Sequence, residues 1–151
     1  MPTSTKAFDA EALYRDLLGQ VKTGLDGVAD VAIVGIHSGG AWLAERLAAD
    51  LGLKGRLGFI DVSFYRDDYA KKGLHPDVKP TQIGFNVDRA NIVLVDDVLF
   101  TGRTTRAAIN VLFDYGRPAR IMLAALADRG GRELPVAADF VGAHVPLEGQ
   151  Q

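Results

Sequence analysis

The chain has 151 residues, enough for one domain with one sizeable core, and it is 48% hydrophobic and 24% charged. That is a globular composition, and a formal net charge of −2 supplies no overall field toward nucleic acid or anionic membranes. The absence of cysteine excludes a disulfide scaffold, a thiolate zinc site and a cysteine nucleophile, and His37, His75 and His144 lie too far apart in sequence to suggest a metal site.

The first residues, Met1 to Asp16, lack the charged start and apolar core of a signal peptide, and no apolar run approaches the roughly 20 residues of a membrane span; the expectation is a cytoplasmic protein. Asp9 is placed to cap a helix on which Leu13, Leu17, Val21 and Leu25 recur every four residues up to Asp26-Gly27. Val31 to Ile36 is short, apolar and β-branched, a strand buried on both faces. After the loop His37-Ser38-Gly39-Gly40 comes a helix with Leu43, Leu47 and Leu51 on one stripe, closed by Gly52 and Gly55. Trp42 at helix spacing reads as core or interface.

Residues 56–65 read as a second strand, and residues 66–81 as a loop with seven charges and no apolar period, a length usually functional or mobile. Gln82 to Val87 suggests a short edge strand, and Ile92 to Val95 a buried one running into Asp96-Asp97. A loop over Val98 to Gly102 and a helix over Thr104 to Tyr115 follow, its apolar face expected to be Ala108, Val111, Leu112 and Tyr115. Strands over Arg120 to Ala127 and Ala138 to Val145 complete an alternation of strands with helices, which predicts an α/β fold with a parallel sheet. In such sheets ligands bind where strand C-termini meet the following loops, here 37–40, 96–105 and 128–132.

The densest chemistry lies in Val93 to Thr105, VLVDDVLFTGRTT counted from Val93-Leu94-Val95. A buried strand delivers two adjacent carboxylates, and four residues later Thr-Gly-Arg-Thr opens a helix. The backbone N–H groups of that turn, the hydroxyls of Thr101, Thr104 and Thr105 and the helix N-terminus together make an anion site, with Gly102 permitting close approach. Carboxylates for vicinal hydroxyls beside amides for an anion suit a ribose 5-phosphate. Taken singly, the same residues also fit a capped turn and a capped helix.

Residues 93–105 resemble the phosphoribosyl-diphosphate (PRPP) motif of the type I phosphoribosyltransferases. The wording VDDVLFTGRT followed by DYGRPARIMLAALADRGGRELPVAADFVGAHVP is similar, more narrowly, to the pyrimidine operon regulator/uracil phosphoribosyltransferase (PyrR) family, as is Tyr65-Arg66-Asp67-Asp68. The resemblance runs from about Val31 to Pro146. It implies one domain over 1–151: a parallel five-stranded core sheet flanked by helices, a flexible loop over about 66–81, and a small hood from about 128–146 and the N-terminal segment. It also implies a pentosyl transfer in which uracil and PRPP give UMP and pyrophosphate with Mg²⁺, in a homo-oligomer.

Carried over by motif, Asp96 and Asp97 contact the ribose hydroxyls and are the catalytic pair, with Mg²⁺ near them. Val98, Leu99, Phe100, Thr101, Gly102, Arg103, Thr104 and Thr105 form the phosphate-binding stretch. Ser38 and Gly39 sit in the pyrophosphate loop, Arg66 in the lid, and Arg129 by the uracil. The pyrophosphate loop departs from the family's frequent Lys-Thr-Arg-Gly, so amides, Ser38 or the lid must carry more of that binding. Hypoxanthine or orotate remain rival bases. The family's second activity, termination of transcription by binding leader RNA with UMP, needs a basic surface. Residues 1–30 oppose it, with Lys6, Arg15 and Lys22 against Asp9, Glu11, Asp16, Asp26 and Asp30. A phosphorylatable receiver domain is excluded because its acid pair follows the first strand.

Overall fold

The computed structural model describes residues 9–37, 39–62 and 81–145. Helix α1 spans Ala10–Gly24 and starts where Asp9 Oδ1 accepts the N–H groups of Glu11 and Ala12 at 3.1 and 3.3 Å, satisfying two donors that a helix start leaves unpaired. Its buried residues are Tyr14, Leu17 and Val21. Leu13 is only half-buried and Tyr14 takes the interior position, because its hydroxyl donates to Asp50 Oδ2 at 2.5 Å and the Arg46 guanidinium lies 4.0 Å over its ring. Burial first, then the Asp50 contact, pushes the Tyr14 phenol above its usual range. Arg46 also pairs with Glu11, so charge on the rim fastens α1 to the following helix.

That helix, α2 over Gly39–Leu51, follows strand β1 over Val31–His37. Strands β2 (Leu57–Asp61), β3 (Gln82–Ile83) and β4 (Asn91–Leu99) come next, then α3 (Arg103–Tyr115), β5 (Arg120–Asp128) and β6 (Phe140–His144). The sheet order is β3-β2-β1-β4-β5-β6, with β2, β1, β4, β5 and β6 parallel and β3 antiparallel to β2. The expected five-stranded parallel core is therefore present, with a two-residue antiparallel edge.

Successive strand residues feed opposite faces. Ala32, Val34 and Ile36 of β1 and Ile92 and Leu94 of β4 pack with Ala108, Val111 and Leu112 of α3. Ile33, Val93 and Val95 pack on the other face with Leu17, Val21, Leu43 and Leu47 of α1 and α2. Each fully buried leucine contributes about 1.5–3 kcal/mol of apolar burial, so covering both faces accounts for the unbroken apolar runs in β1 and β4. No helix among the described residues is long and apolar enough to cross a membrane.

Several elements differ from expectation. β4 runs on through Asp96 and Asp97 to Leu99, so Val98 and Leu99 are strand and not loop, because they continue the ladder opposite Ala127 and Asp128 of β5. The stretch 37–40 divides between the end of β1 and the start of α2, with Ser38 outside the described residues. β2 stops at Asp61, and β3 at Ile83 well short of Val87; Arg56 closes a 3₁₀ turn from which its Nε donates to Val31 O at 2.8 Å. Tyr115 is 49% exposed, so α3 buries Ala107 and Thr105 in its place. Trp42, 44% exposed, is not core. Of the 128–146 segment expected in a hood, Phe140–His144 is the last parallel strand.

Candidate functional site

β1 and β4 are neighbours from which the chain proceeds outward in opposite directions, to β2 on one side and to β5 and β6 on the other. That reversal opens a crevice at the strand C-termini, where α/β sheets bind ligands. Both carboxylates lie there. Asp96 Oδ1 accepts the Asp97 N–H and Asp97 Oδ1 accepts the Val98 N–H, each at 2.8 Å. Burial first, and then hydrogen bonding and repulsion from Asp97, raise Asp96 to about 8.

Asp97 faces the start of α2. A Cβ on Gly39 would lie 2.5 Å from Asp97 Oδ1, and one on Gly40 would overlap the Val95 carbonyl and stand 2.9 Å from Asp96 Cα. Glycine at both positions is what lets the first turn of α2 settle on β4 beside the acid pair.

Beyond Leu99 the chain turns through Phe100 and Thr101 to Gly102, which caps α3 with φ +95°, a left-handed conformation that glycine adopts without strain. Thr101 Oγ1 accepts the Arg103 N–H at 3.1 Å. The amides of Arg103, Thr104 and Thr105 are the first of α3, the ones a helix leaves without intrahelical partners. The Thr104 residue is exposed and Thr105 is buried. The turn therefore presents amides at a helix N-terminus, a geometry that suits an anion.

The loop after β5 is locked to this turn. The Arg129 N–H donates to Leu99 O at 2.9 Å, and Glu133 and Leu134 donate to Thr101 O at 2.9 and 3.1 Å. The Arg129 guanidinium lies 4.4 Å over the Phe100 ring, which is 39% exposed, and Arg103 Nε donates to Glu133 Oε1 at 2.6 Å. Asp128 and Arg132 form a forked pair, Nη2 to Oδ2 at 2.6 Å and Nη1 to Oδ1 at 2.9 Å, which holds the Asp128 carboxyl below its usual range.

Asp96, Asp97, Gly39, Thr101, Gly102, Arg103, Thr104, Thr105, Phe100 and Arg129 therefore gather at one end of the sheet. Leu99 sends its side chain into the core and offers only its backbone, whereas Val98 is exposed beside the acids. Ser38, Arg66 and the loop from Arg66 to Lys79 lie outside the described residues. His37 ends β1 with its ring tilted against Phe59 at 5.3 Å, a packing role. Arg132 carries only a faint signal in the sequence, an arginine four residues after an aspartate that closes a buried strand. A separate cavity of about 450 Å³, lined by Lys22, Leu25, Val31, Leu53 and Arg56, lies by the start of β1, away from the acid pair.

Residues 5–149 match the family model described as phosphoribosyl transferase domain. The chain is 54% identical over 146 residues to a bifunctional protein PyrR of Ralstonia nicotianae, covering 95% of this chain and 83% of the relative. It is 53% identical over 121 residues to a bifunctional protein PyrR of Pseudomonas aeruginosa, covering 80% and 71%. Among solved structures, a hypoxanthine phosphoribosyltransferase of Trypanosoma cruzi shares the fold with a TM-score of 0.68 at 21% identity, over 91% of this chain and 76% of that one.

Proposed function

The chain belongs to the phosphoribosyl transferase family and within it to the PyrR group, and from that premise we propose that it transfers the phosphoribosyl group of PRPP to uracil, giving UMP and pyrophosphate. The observation that carries the proposal is the acid pair of β4 set between the glycine start of α2 and the threonine-rich start of α3. Carboxylates that accept from the 2′- and 3′-hydroxyls, with amides and hydroxyls for the 5-phosphate a few residues on, fix a ribose phosphate by both ends.

Bond breaking at C1 puts positive charge on the ribose ring and negative charge on the leaving pyrophosphate. Asp96 and Asp97 lie on the ring side, where ionisation of the pair favours the transition state over the ground state. The first amides of α2, at Gly39 and Gly40, are assigned to the pyrophosphate. Among the described residues no third acid or histidine joins the pair. Two carboxylates and no cage suit Mg²⁺, which takes one or two protein carboxylates and completes its shell with substrate phosphates and water. When bound, Mg²⁺ neutralises and orients the leaving pyrophosphate. A lid is required to keep water from the reactive sugar, and Arg66, Lys71, Lys72 and Lys79 recommend the 66–81 loop for it. Arg129 is assigned to the base, and the segment from about 128 to 146 to a small hood, of which Phe140–His144 is strand β6. A homo-oligomer is part of the same reading; Trp42 of α2 on one face of the sheet and Phe113 and Tyr115 of α3 on the other are large and exposed.

The test is PRPP- and Mg²⁺-dependent nucleotide formation with uracil, orotate, hypoxanthine, guanine and adenine in parallel. UMP alone supports the reading, whereas another nucleotide keeps the site and replaces the base. No product from any base, with UMP still bound, would favour the regulatory reading that the word bifunctional in the relatives' names keeps open. Leader-RNA binding with a steep salt dependence would then be the discriminating result.

A further inference from the structure

A nucleotide held at its base and at its 5-phosphate is gripped by two different loops, and here one side chain ties those loops together. Arg132 Nη1 donates to Phe100 O at 2.8 Å, in the turn that leads to the phosphate cradle. Its Nε donates to Val136 O at 2.6 Å, in the loop after β5, and both guanidinium ends reach the Asp128 carboxylate. Asp128 is the last residue of β5 and pairs in register with Leu99, so the guanidinium is braced on the sheet itself. We propose that Arg132 is a positioning residue that keeps the base-side loop, 129–136, in register with the phosphate-side turn, 99–103. The proposal rests on the assignment of those loops to base and phosphate given above.

The bonding pattern suits arginine and not lysine. A planar fork can serve a carboxylate and two carbonyls at once, while an ammonium is a single point charge. Arg132 also sets the stage for Arg129. The Phe100 carbonyl held by Arg132 belongs to the residue whose ring lies under the Arg129 guanidinium. Release of Arg132 therefore shifts Phe100, and with it the support on which Arg129 rests. Arg132 acts through these partners and is assigned no contact with the ligand.

A ligand that spans both loops senses their relative displacement, and a ligand that engages one loop does not. Of UMP and ribose 5-phosphate only UMP carries the base, and the sugar phosphate ends at C1 in an anomeric hydroxyl that reaches neither loop's base side. Two variants separate register from folding. Arg132→Lys keeps a positive charge opposite Asp128 but loses the fork. The double variant Asp128→Asn/Arg132→Met removes the charge pair together, so no buried carboxylate is left alone. Dissociation constants for UMP and ribose 5-phosphate are measured by calorimetry on the full chain, with circular dichroism and thermal melting to establish folding.

UMP binding is expected to weaken about tenfold in the double variant, the scale of one misaligned hydrogen bond to the base, with ribose 5-phosphate affected about threefold or less. Arg132→Lys should fall between the double variant and the parent protein. Equal losses for the two ligands would overturn the proposal, as would undiminished UMP binding in a folded double variant. Failure of both variants to fold would also overturn it, because Arg132 would then serve the fold and not the register. If the parent protein binds UMP no more tightly than ribose 5-phosphate, the uracil assignment has failed independently. The same ratio is then measured with the nucleotide of the base selected in the turnover panel.

Discussion

Gly39→Ala isolates the geometry of the acid pair. The added methyl would meet the carboxylate of Asp97, with Oδ1 at 2.5 Å. The obstacle is the end of a side chain, so the fold can accommodate the methyl by moving that carboxylate, and alanine suits a helix start in backbone terms. To reach ordinary van der Waals contact the carboxylate must retreat by about 1 Å, a displacement that in a pre-organised site lowers catalysis about 100-fold, or about 2.7 kcal/mol. The assay is steady-state UMP formation with PRPP and uracil varied in turn, alongside a melting curve. We expect kcat/KM to fall by about that factor with the melting temperature nearly unchanged. Gly40→Ala is the control: its methyl would meet the Val95 carbonyl and Asp96 Cα, backbone that cannot step aside, so it should destabilise by about 1–3 kcal/mol. A Gly39→Ala protein with undiminished kcat/KM would refute the placement of Asp97 in the reacting geometry.

Asp97→Asn keeps the shape and removes the charge, and turnover should fall about tenfold or more with the fold intact; unchanged turnover would take Asp97 out of the mechanism. Thr104→Val removes an exposed hydroxyl from the phosphate turn and should weaken PRPP binding by about 1 kcal/mol, read by titration, with an unaltered affinity counting against the phosphate assignment. Asp96 has a raised folded-state pKa, so its contribution to stability is present at low pH and is lost as pH rises from the ordinary carboxylate range through about 8. Asp96→Asn should accordingly raise the melting temperature of the ligand-free protein at pH 8 while reducing turnover; a lower melting temperature there would contradict the electrostatic argument. Asp128 is shifted the other way by Arg132, so its contribution is present above the ordinary carboxylate range and is lost as pH falls through the lowered value. Urea midpoints between pH 7 and 3 should drop less steeply for Asp128→Asn than for the parent, and parallel curves would show that the pair does not contribute.

The parts of this fold readable in the sequence are those set by local pattern. Val31 to Ile36 and Ile92 to Val95 are apolar on both faces because both faces are covered, and Asp9 caps α1 through its own side chain. Asp96-Asp97 and Thr101 to Thr105 were legible because one short segment carries both chemistries. What was not legible depends on residues distant in sequence. Val98 and Leu99 continue β4 only because Ala127 and Asp128 lie beside them, and an exposed valine gives no hint of a ladder. Tyr14 is buried through Asp50 and Arg46, thirty and more positions away. Arg132 looks like a surface cation until the carbonyls of Phe100 and Val136 are brought to it. The same holds for Gly39, whose lack of a side chain gains meaning only once Asp97 is set against it.

The central claim is that one ribose phosphate is held by Asp96 and Asp97 at its hydroxyls and by Thr101 to Thr105 at its phosphate. A crystal structure of the protein with UMP tests it most directly. The account predicts the 2′- and 3′-hydroxyls within hydrogen-bond distance of the two carboxylates, the phosphate on the first amides of α3, and the uracil beside Arg129. Nucleotide density away from β4, or a phosphate seated elsewhere than the Thr101–Thr105 turn, would contradict it.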